Sequence, residues 1–249
     1  MTTTQPLAGK TALVIGGSRG IGAAIVRRLA ADGASIAFTF ANAAQKADAL
    51  VAAVERDGGR AAALKADSAD AAALSTAIDA AAATLGGLDI LVHNAGLLIL
   101  GPVQDFSLED FDRIHAVNVR GVFVAVKAAV PHLRRGGRIV TIGSITRGAA
   151  RAAGSTIYGT TKAAVARMVR GLAWDLAEQG ITINDVQPGP TATDMNPADG
   201  PMIEYLIAAN PSRRLGRPEE IADLVAYLAG PAPSYINGAG ITIDGGFTA

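Results

Sequence analysis

There is no cysteine in the 249 residues, which excludes disulfides, a thiol nucleophile and a thiolate metal site. Aromatics are scarce, with six Phe, four Tyr and one Trp, so the core has to rely on close contacts between small side chains. Neither sign of charge is in excess: 22 Lys and Arg balance 22 Asp and Glu. That argues against binding to nucleic-acid polymers or membrane surfaces, since both need a basic surplus. No run of about eighteen uninterrupted apolar residues occurs, so no membrane span is expected. Met1–Gly9 has no basic stretch leading into an apolar core and does not read as a signal peptide. The expectation is a soluble cytoplasmic protein without a metal.

What is present is rich in small and apolar residues, at a length that suits one large α/β domain. Apolar, β-rich runs at Thr11–Ile15, Ser35–Phe40, Ala61–Lys65, Leu88–His93, Arg138–Ile142, Ile181–Val186 and Gly240–Ile243 read as strands. Amphipathic stretches at Gly20–Asp32, Ala43–Asp57, Ala69–Leu85, Leu108–Leu133, Tyr158–Gln179 and Pro218–Ala229 read as helices. This alternation predicts an α/β fold with a doubly wound, seven-stranded parallel sheet and helices on both faces. Asn118 interrupts the fourth helix, because its side chain competes for helical hydrogen bonds. Pro188–Pro211 reads as a mobile loop with a short helix at Met202–Ala208. No linker or internal repeat divides the chain, so residues 1–249 are expected to form a single domain.

The first strand runs into Gly16-Gly17-Ser18-Arg19-Gly20-Ile21-Gly22, which opens the first helix. Glycines let a backbone turn tightly and approach a pyrophosphate, whose charge the helix N-terminus favours. The spacing is Gly-x-x-x-Gly-x-Gly rather than the general Gly-x-Gly-x-x-Gly. After the second strand, where NAD-preferring proteins place an acid for the ribose, stand Ala41 and Asn42. Arg19 is suited to a 2′-phosphate instead, so NADP(H) is the expected cofactor.

Farther along, Ser144 ends a strand, and Tyr158 and Lys162 lie one helical turn apart. A phenol alone is a poor acid–base group near neutral pH, but a neighbouring ammonium favours its phenolate. A serine hydroxyl beside the pair can hold a substrate oxygen. Gly16, Ala41, Asp67, Asn94, Ser144 and Pro188 all fall at carboxyl ends of strands, where ligands bind in doubly wound sheets.

The glycine loop, His93-Asn94-Ala95-Gly96, Asn118, Ser144, Tyr158-x-x-x-Lys162 and Pro188-Gly189, in this order, resemble the short-chain dehydrogenase/reductase family from about Gly9 to Gly246. The resemblance implies a single-domain Rossmann fold, a nicotinamide cofactor, a small carbonyl or alcohol substrate and a homo-oligomer, dimer or tetramer. It implies Tyr158 as general acid or base, Lys162 on the phenolate and nicotinamide ribose, Ser144 on the substrate carbonyl, and Asn118 behind a water-linked proton relay. By the same likeness Asp67 and Ser68 contact adenine, with a helix cap near Ala69 as the plainer role. Asn94, Ala95 and Gly96 run beside the adenosine ribose, and Pro188, Gly189 and Thr191, with Thr193 less clearly, contact the nicotinamide and phosphates.

Ile15, His93, Gly143 and Asp185 depart from the family's usual residues. His93 reads as strand-end packing; Asp185 has no account at this level. Ile145–Thr156, Leu97–Val103 and Pro190–Asn210 border the expected carbonyl position, with Arg147 and Arg151 suited either to an anionic group or to solvent. The apolar tract Gly121–Val126 implies burial on two sides and hence a second subunit. Many 3-oxoacyl-carrier-protein reductases look similar. Gly16–Arg28 and Gln187–Met202 also resemble members credited with binding cyclic di-GMP in biofilm dispersal. A module that sequesters this nucleotide is therefore the alternative to an enzyme.

Overall fold

A computed structural model describes residues 5–148, 153–197, 200 and 202–249. Seven strands form one parallel sheet: β1 (Thr11–Ile15), β2 (Ser35–Phe40), β3 (Arg60–Lys65), β4 (Leu88–His93), β5 (Leu133–Ile142), β6 (Thr182–Pro188) and β7 (Gly240–Ile243). Their order is β3-β2-β1-β4-β5-β6-β7, the Rossmann arrangement. The strand order reverses between β1 and β4, and the carboxyl ends there open a crevice.

The central strands are apolar because both faces are covered. Helices α1 (Gly20–Ala31), α2 (Ala44–Arg56) and α8 (Pro218–Ala229) bury Ile25, Leu50 and Val225 against Val14, Phe38 and Val186 on one face. Helices α3 (Ala71–Leu85), α5 (Gly121–Ala129) and α6 (Thr156–Asp175) bury Leu74, Val126 and Val169 against Leu13, Leu91 and Ile183 on the other. Helices α4 (Leu108–His115) and α7 (Ile203–Ala209) complete the set.

Some boundaries differ from the sequence reading. Leu133 belongs to β5, paired with Leu88, and not to the end of a helix. Gly136, at φ +81°, lies where β5 takes up a register irregularity against β4, a detail set by strand pairing and not by local propensity. Helix α3 starts at Ala71, two residues later than expected, because Asp70 caps it by accepting from the Ala72 and Ala73 amides at 3.0 Å.

The expected break at Asn118 takes the form of a π-helical turn, Ala116–Arg120, joining α4 to α5. The whole helix, Leu108–His132, is long and apolar enough to cross a membrane by length and composition, although scattered polar residues break its apolar runs. One side of it packs on the core, with Ile114, Val122, Ala125, Val126 and Ala129 buried. Phe123, on its other side, is 49% exposed.

Candidate active site

The glycine loop is shaped by close backbone approaches. Gly16 has φ +78°, and a Cβ there would lie 2.8 Å from the Ala95 backbone. A Cβ on Gly22 would lie 2.1 Å from the Gly16 carbonyl oxygen, which already accepts from Asn94 Nδ2 at 2.7 Å. Asn94 thus fastens the end of β4 to the loop. The Gly16 amide donates to Thr39 Oγ1 at 3.0 Å and that of Gly17 to the Thr39 carbonyl at 2.9 Å. Thr39 was missed in the sequence; the only signal was a hydroxyl near the end of an otherwise apolar strand.

Helix α1 starts at Gly20 with no side-chain cap from Arg19 and no acid in its first turn. Among the described residues, no side chain caps its first amides, which suits a diphosphate site. A cradle that a single Cβ would fill fits a dinucleotide. Thr193 sits beside it: a Cβ on Gly20 would lie 3.4 Å from Thr193 Cγ2. Ser18 lies in the bend before α1, Ile21 in the first turn of α1, and Ala41 and Asn42 in the bend after β2. Arg19 approaches Asp194 at 3.6 Å, and Lys46 of α2 approaches the same carboxylate at 2.8 Å. Lys46 is a second cation beside Arg19 that strand-end reasoning did not single out.

At the end of β3, Asp67 Oδ1 accepts from the Ala69 amide at 2.9 Å in a local turn, so it is not the cap of α3. Ser68 is buried next to Gly121, where a Cβ would meet its carbonyl at 2.9 Å. On the other side of the crevice the Gly189 amide donates to the Ile243 carbonyl at 3.0 Å, just after Pro188 ends β6. Thr191 is buried and donates to the Gly189 carbonyl at 2.9 Å.

Between these halves lie the four residues expected to carry acid–base chemistry. Tyr158 is in the first turn of α6 and Lys162 one turn on, with Lys162 Nζ 5.7 Å from the phenol ring centre. Lys162 is 5% exposed, and its ammonium donates to the Ile142 carbonyl at 2.9 Å. A Cβ on Gly96 would lie 3.6 Å from Lys162 Nζ and 3.7 Å from Asn118 Oδ1, so these three residues converge. Asn118 is fully engaged. Its Oδ1 accepts from the Leu97 amide at 2.7 Å, and its Nδ2 donates to the Leu97 carbonyl at 2.9 Å and Thr161 Oγ1 at 3.0 Å. The π turn therefore aims one side chain that ties the end of β4 to α6. Ser144, two residues beyond the lysine's acceptor, is buried and accepts from the Thr146 amide at 3.2 Å and hydroxyl at 2.9 Å.

His93 is 2% exposed, as a packing residue would be, and its Nε2 has no partner. Burial, and then the Lys162 charge, push its pKa down to about 3, so it is a neutral imidazole at working pH. Arg151 lies outside the described residues, as do 149, 150, 152, 198, 199 and 201 in the two substrate-bordering segments.

A nucleotide cradle at the switch point, with a tyrosine–lysine pair across the crevice, defines the class of a nicotinamide-type Rossmann protein. The family profile described as Enoyl-(Acyl carrier protein) reductase matches residues 15–248. The chain belongs to the short-chain dehydrogenase/reductase family. It is 45% identical over 241 residues to the "Cyclic-di-GMP-binding biofilm dispersal mediator protein" of Escherichia coli (strain K12), covering 97% of this chain and 98% of that one. A short-chain dehydrogenase from Burkholderia cenocepacia J2315, solved in complex with NADP, is 50% identical with a TM-score of 0.96, over 98% of this chain and 100% of that one. BdcA, solved in complex with NADPH, is 44% identical with a TM-score of 0.91, over 98% and 96%.

Proposed function

We propose that this chain is an NADP(H)-dependent carbonyl reductase or alcohol dehydrogenase with Tyr158 as its acid–base group. The observation that carries this reading is the convergence of Lys162, Asn118 and Gly96 beside Tyr158, across the crevice from the glycine cradle. The two relatives above that hold NADP or NADPH support the cofactor. Gly16, Ser18, Arg19, Gly20, Ile21 and Gly22 would hold the phosphates, with Arg19 and Lys46 on a 2′-phosphate. Ala41, Asn42, Asp67, Ser68, Asn94 and Ala95 would border the adenosine half, and Pro188, Gly189 and Thr191 the nicotinamide half. When bound, NADPH supplies the hydride.

The chain's own residues do the rest. Ser144 donates to the substrate carbonyl and fixes its distance and angle. Tyr158 gives its phenolic proton to the oxygen as charge develops there. The Lys162 ammonium lowers the cost of the phenolate left behind, and Asn118 locks the helix that carries both. The partly exposed Phe123 face of α5 is where we place contact with a second copy. The reading implies a cytoplasmic enzyme.

The alternative, a module that sequesters cyclic di-GMP in the same crevice, draws on the printed name of the 45% identical relative. Tyr158→Phe separates the two. Purified protein is assayed with NADPH against β-ketoacyl thioesters, ketones, quinones and sugars, and by titration with cyclic di-GMP. A loss of about a thousandfold in kcat, with NADPH affinity retained, is expected. Undiminished reduction removes Tyr158 from the acid–base role. A parent that reduces nothing yet binds cyclic di-GMP tightly favours the module.

A further inference from the structure

Two departures from the family's usual residues, Gly143 and Asp185, touch each other. Leu91, Ile139 and Ile183 point into the core covered by α3, α5 and α6. The residues two further along each strand, His93, Thr141 and Asp185, therefore point the same way, and they stand side by side in register across β4, β5 and β6. Thr141 Oγ1 donates to Asp185 Oδ1 at 2.7 Å, and Gln187 Nε2 donates to Oδ2 at 2.8 Å. Both oxygens accept, as those of an ionised carboxylate do, while burial raises the carboxyl above its usual range. Asp185 is 1% exposed, and both hydrogen-bond donors are neutral.

A Cβ on residue 143 would lie 2.5 Å from Oδ2 and 2.6 Å from Oδ1. Glycine there leaves the room that the carboxylate occupies, so the two departures are one feature. Between Thr141 and Gly143 lies Ile142, whose carbonyl receives the Lys162 ammonium, and Ser144 follows directly. The charges facing Asp185 are Lys162 from α6 and Arg147 from the turn after Ser144. His93 of β4 adds none, being neutral.

We propose that Asp185 is a positioning residue of the acid–base set. By gripping β5 at Thr141 and packing against Gly143, it holds the Ile142 carbonyl under Lys162 and aims Ser144. Its negative charge steadies the ammonium within a largely apolar interior. This rests on the reductase reading and deepens it.

The test compares the parent, Asp185→Asn, Asp185→Ala, Gly143→Ala and the double variant Gly143→Ala/Asp185→Ala. The readouts are kcat and KM, their pH profiles, NADPH affinity by fluorescence, and melting temperature. Asp185→Asn keeps the shape and removes the charge. It is expected to lower kcat about tenfold, to move the kcat profile for alcohol oxidation to lower pH by about half a unit or more, to weaken NADPH several-fold, and to leave the melting temperature undiminished. Gly143→Ala is expected to lose about as much by displacing the carboxylate. The double variant should lose no more than Asp185→Ala alone, since the added methyl then fills vacated space.

Unchanged kinetics in Asp185→Asn would overturn the proposal. So would a lower melting temperature with an unshifted pH profile, which marks a merely structural group. Additive losses in the double variant would separate Gly143 from Asp185 and overturn the coupling. A parent without turnover would sink the reductase reading instead. NADPH affinity then still decides Asp185, and equal affinity in parent and Asp185→Asn counts against it.

Discussion

The sheet buries one aspartate near the amino ends of its strands, Asp89 of β4, and another toward their carboxyl ends, Asp185 of β6. Along these two lines of strand ends, the amino edge and the carboxyl edge, their surroundings differ. At the amino edge, Asp89 accepts from Lys10 Nζ at 3.0 Å, Arg134 Nη1 at 2.8 Å, and the Thr11 amide at 3.0 Å and hydroxyl at 3.1 Å. At the carboxyl edge, the donors to Asp185 among the described residues are a threonine hydroxyl and a glutamine amide. Burial alone would raise the Asp89 carboxyl, but the hydrogen bonds from Lys10 and Thr11 and the lysine charge bring it below the usual range. Burial raises that of Asp185, and its two neutral donors, followed by the Lys162 and Arg147 charges, offset this only in part. One acid is paired for stability; the other is kept beside the crevice at a cost. On the proposed function, the energetically unfavourable group lies beside the chemistry, while the opposite edge stitches the strands together.

The sharpest way to break this comparison is to remove the paired acid. Asp89→Ala leaves the buried Thr11 amide without its acceptor and two cations without their counter-charge. A loss of about 3 kcal/mol in urea unfolding is expected, with kcat per folded molecule unchanged. A loss of activity without one of stability would mean that the edges do not divide their roles in this way.

A smaller effect belongs to the exposed charges of the carboxyl edge. Arg19, Lys46 and Asp194 form a surface cluster, which contributes little to stability. Lys46, by hydrogen bond and charge, holds the Asp194 carboxyl below its usual range. Arg19→Ala is expected to leave the melting point alone and to reduce the preference for NADPH over NADH about tenfold. A preference left intact would place 2′-phosphate selection on Lys46 or elsewhere.

The parts visible from the chain are those in which local pattern and site coincide. Apolar runs alternating with amphipathic stretches gave all seven strands and the order of the main helices, because both faces of a parallel sheet demand it. The tight turn at Gly16–Gly22 was legible, and so was the placing of Tyr158 and Lys162 one turn apart on a helix, since these depend on spacing alone. Contacts between distant strands were not legible. Thr39 under Gly16, Lys46 beside Arg19, and Asp185 in the space left by Gly143 join residues 23, 27 and 42 positions apart. Glycine at 143 and aspartate at 185 each look like an isolated oddity until β5 and β6 lie in register.

The smallest expected effect is a matter of slope, and it follows from the signs. The folded pKa of Asp89 lies below its unfolded value, so its contribution is present above the unfolded carboxylate pKa of about 3.9 and is lost as pH falls through the folded value. The folded pKa of Asp185 lies above its unfolded value, so its ionisation subtracts stability, by an amount that grows from about pH 3.9 up to the raised folded value. Acidification from neutrality therefore first restores stability through Asp185 and then removes it through Asp89. Urea unfolding of parent, Asp89→Asn and Asp185→Asn from about pH 3 to pH 7 reads both limbs. The deficit of Asp89→Asn should shrink below about pH 4, while the standing of Asp185→Asn relative to the parent should improve as pH rises above it. Parallel curves for Asp185→Asn and the parent would mean that the carboxyl edge bears no electrostatic cost, and the contrast between the two acids would fail.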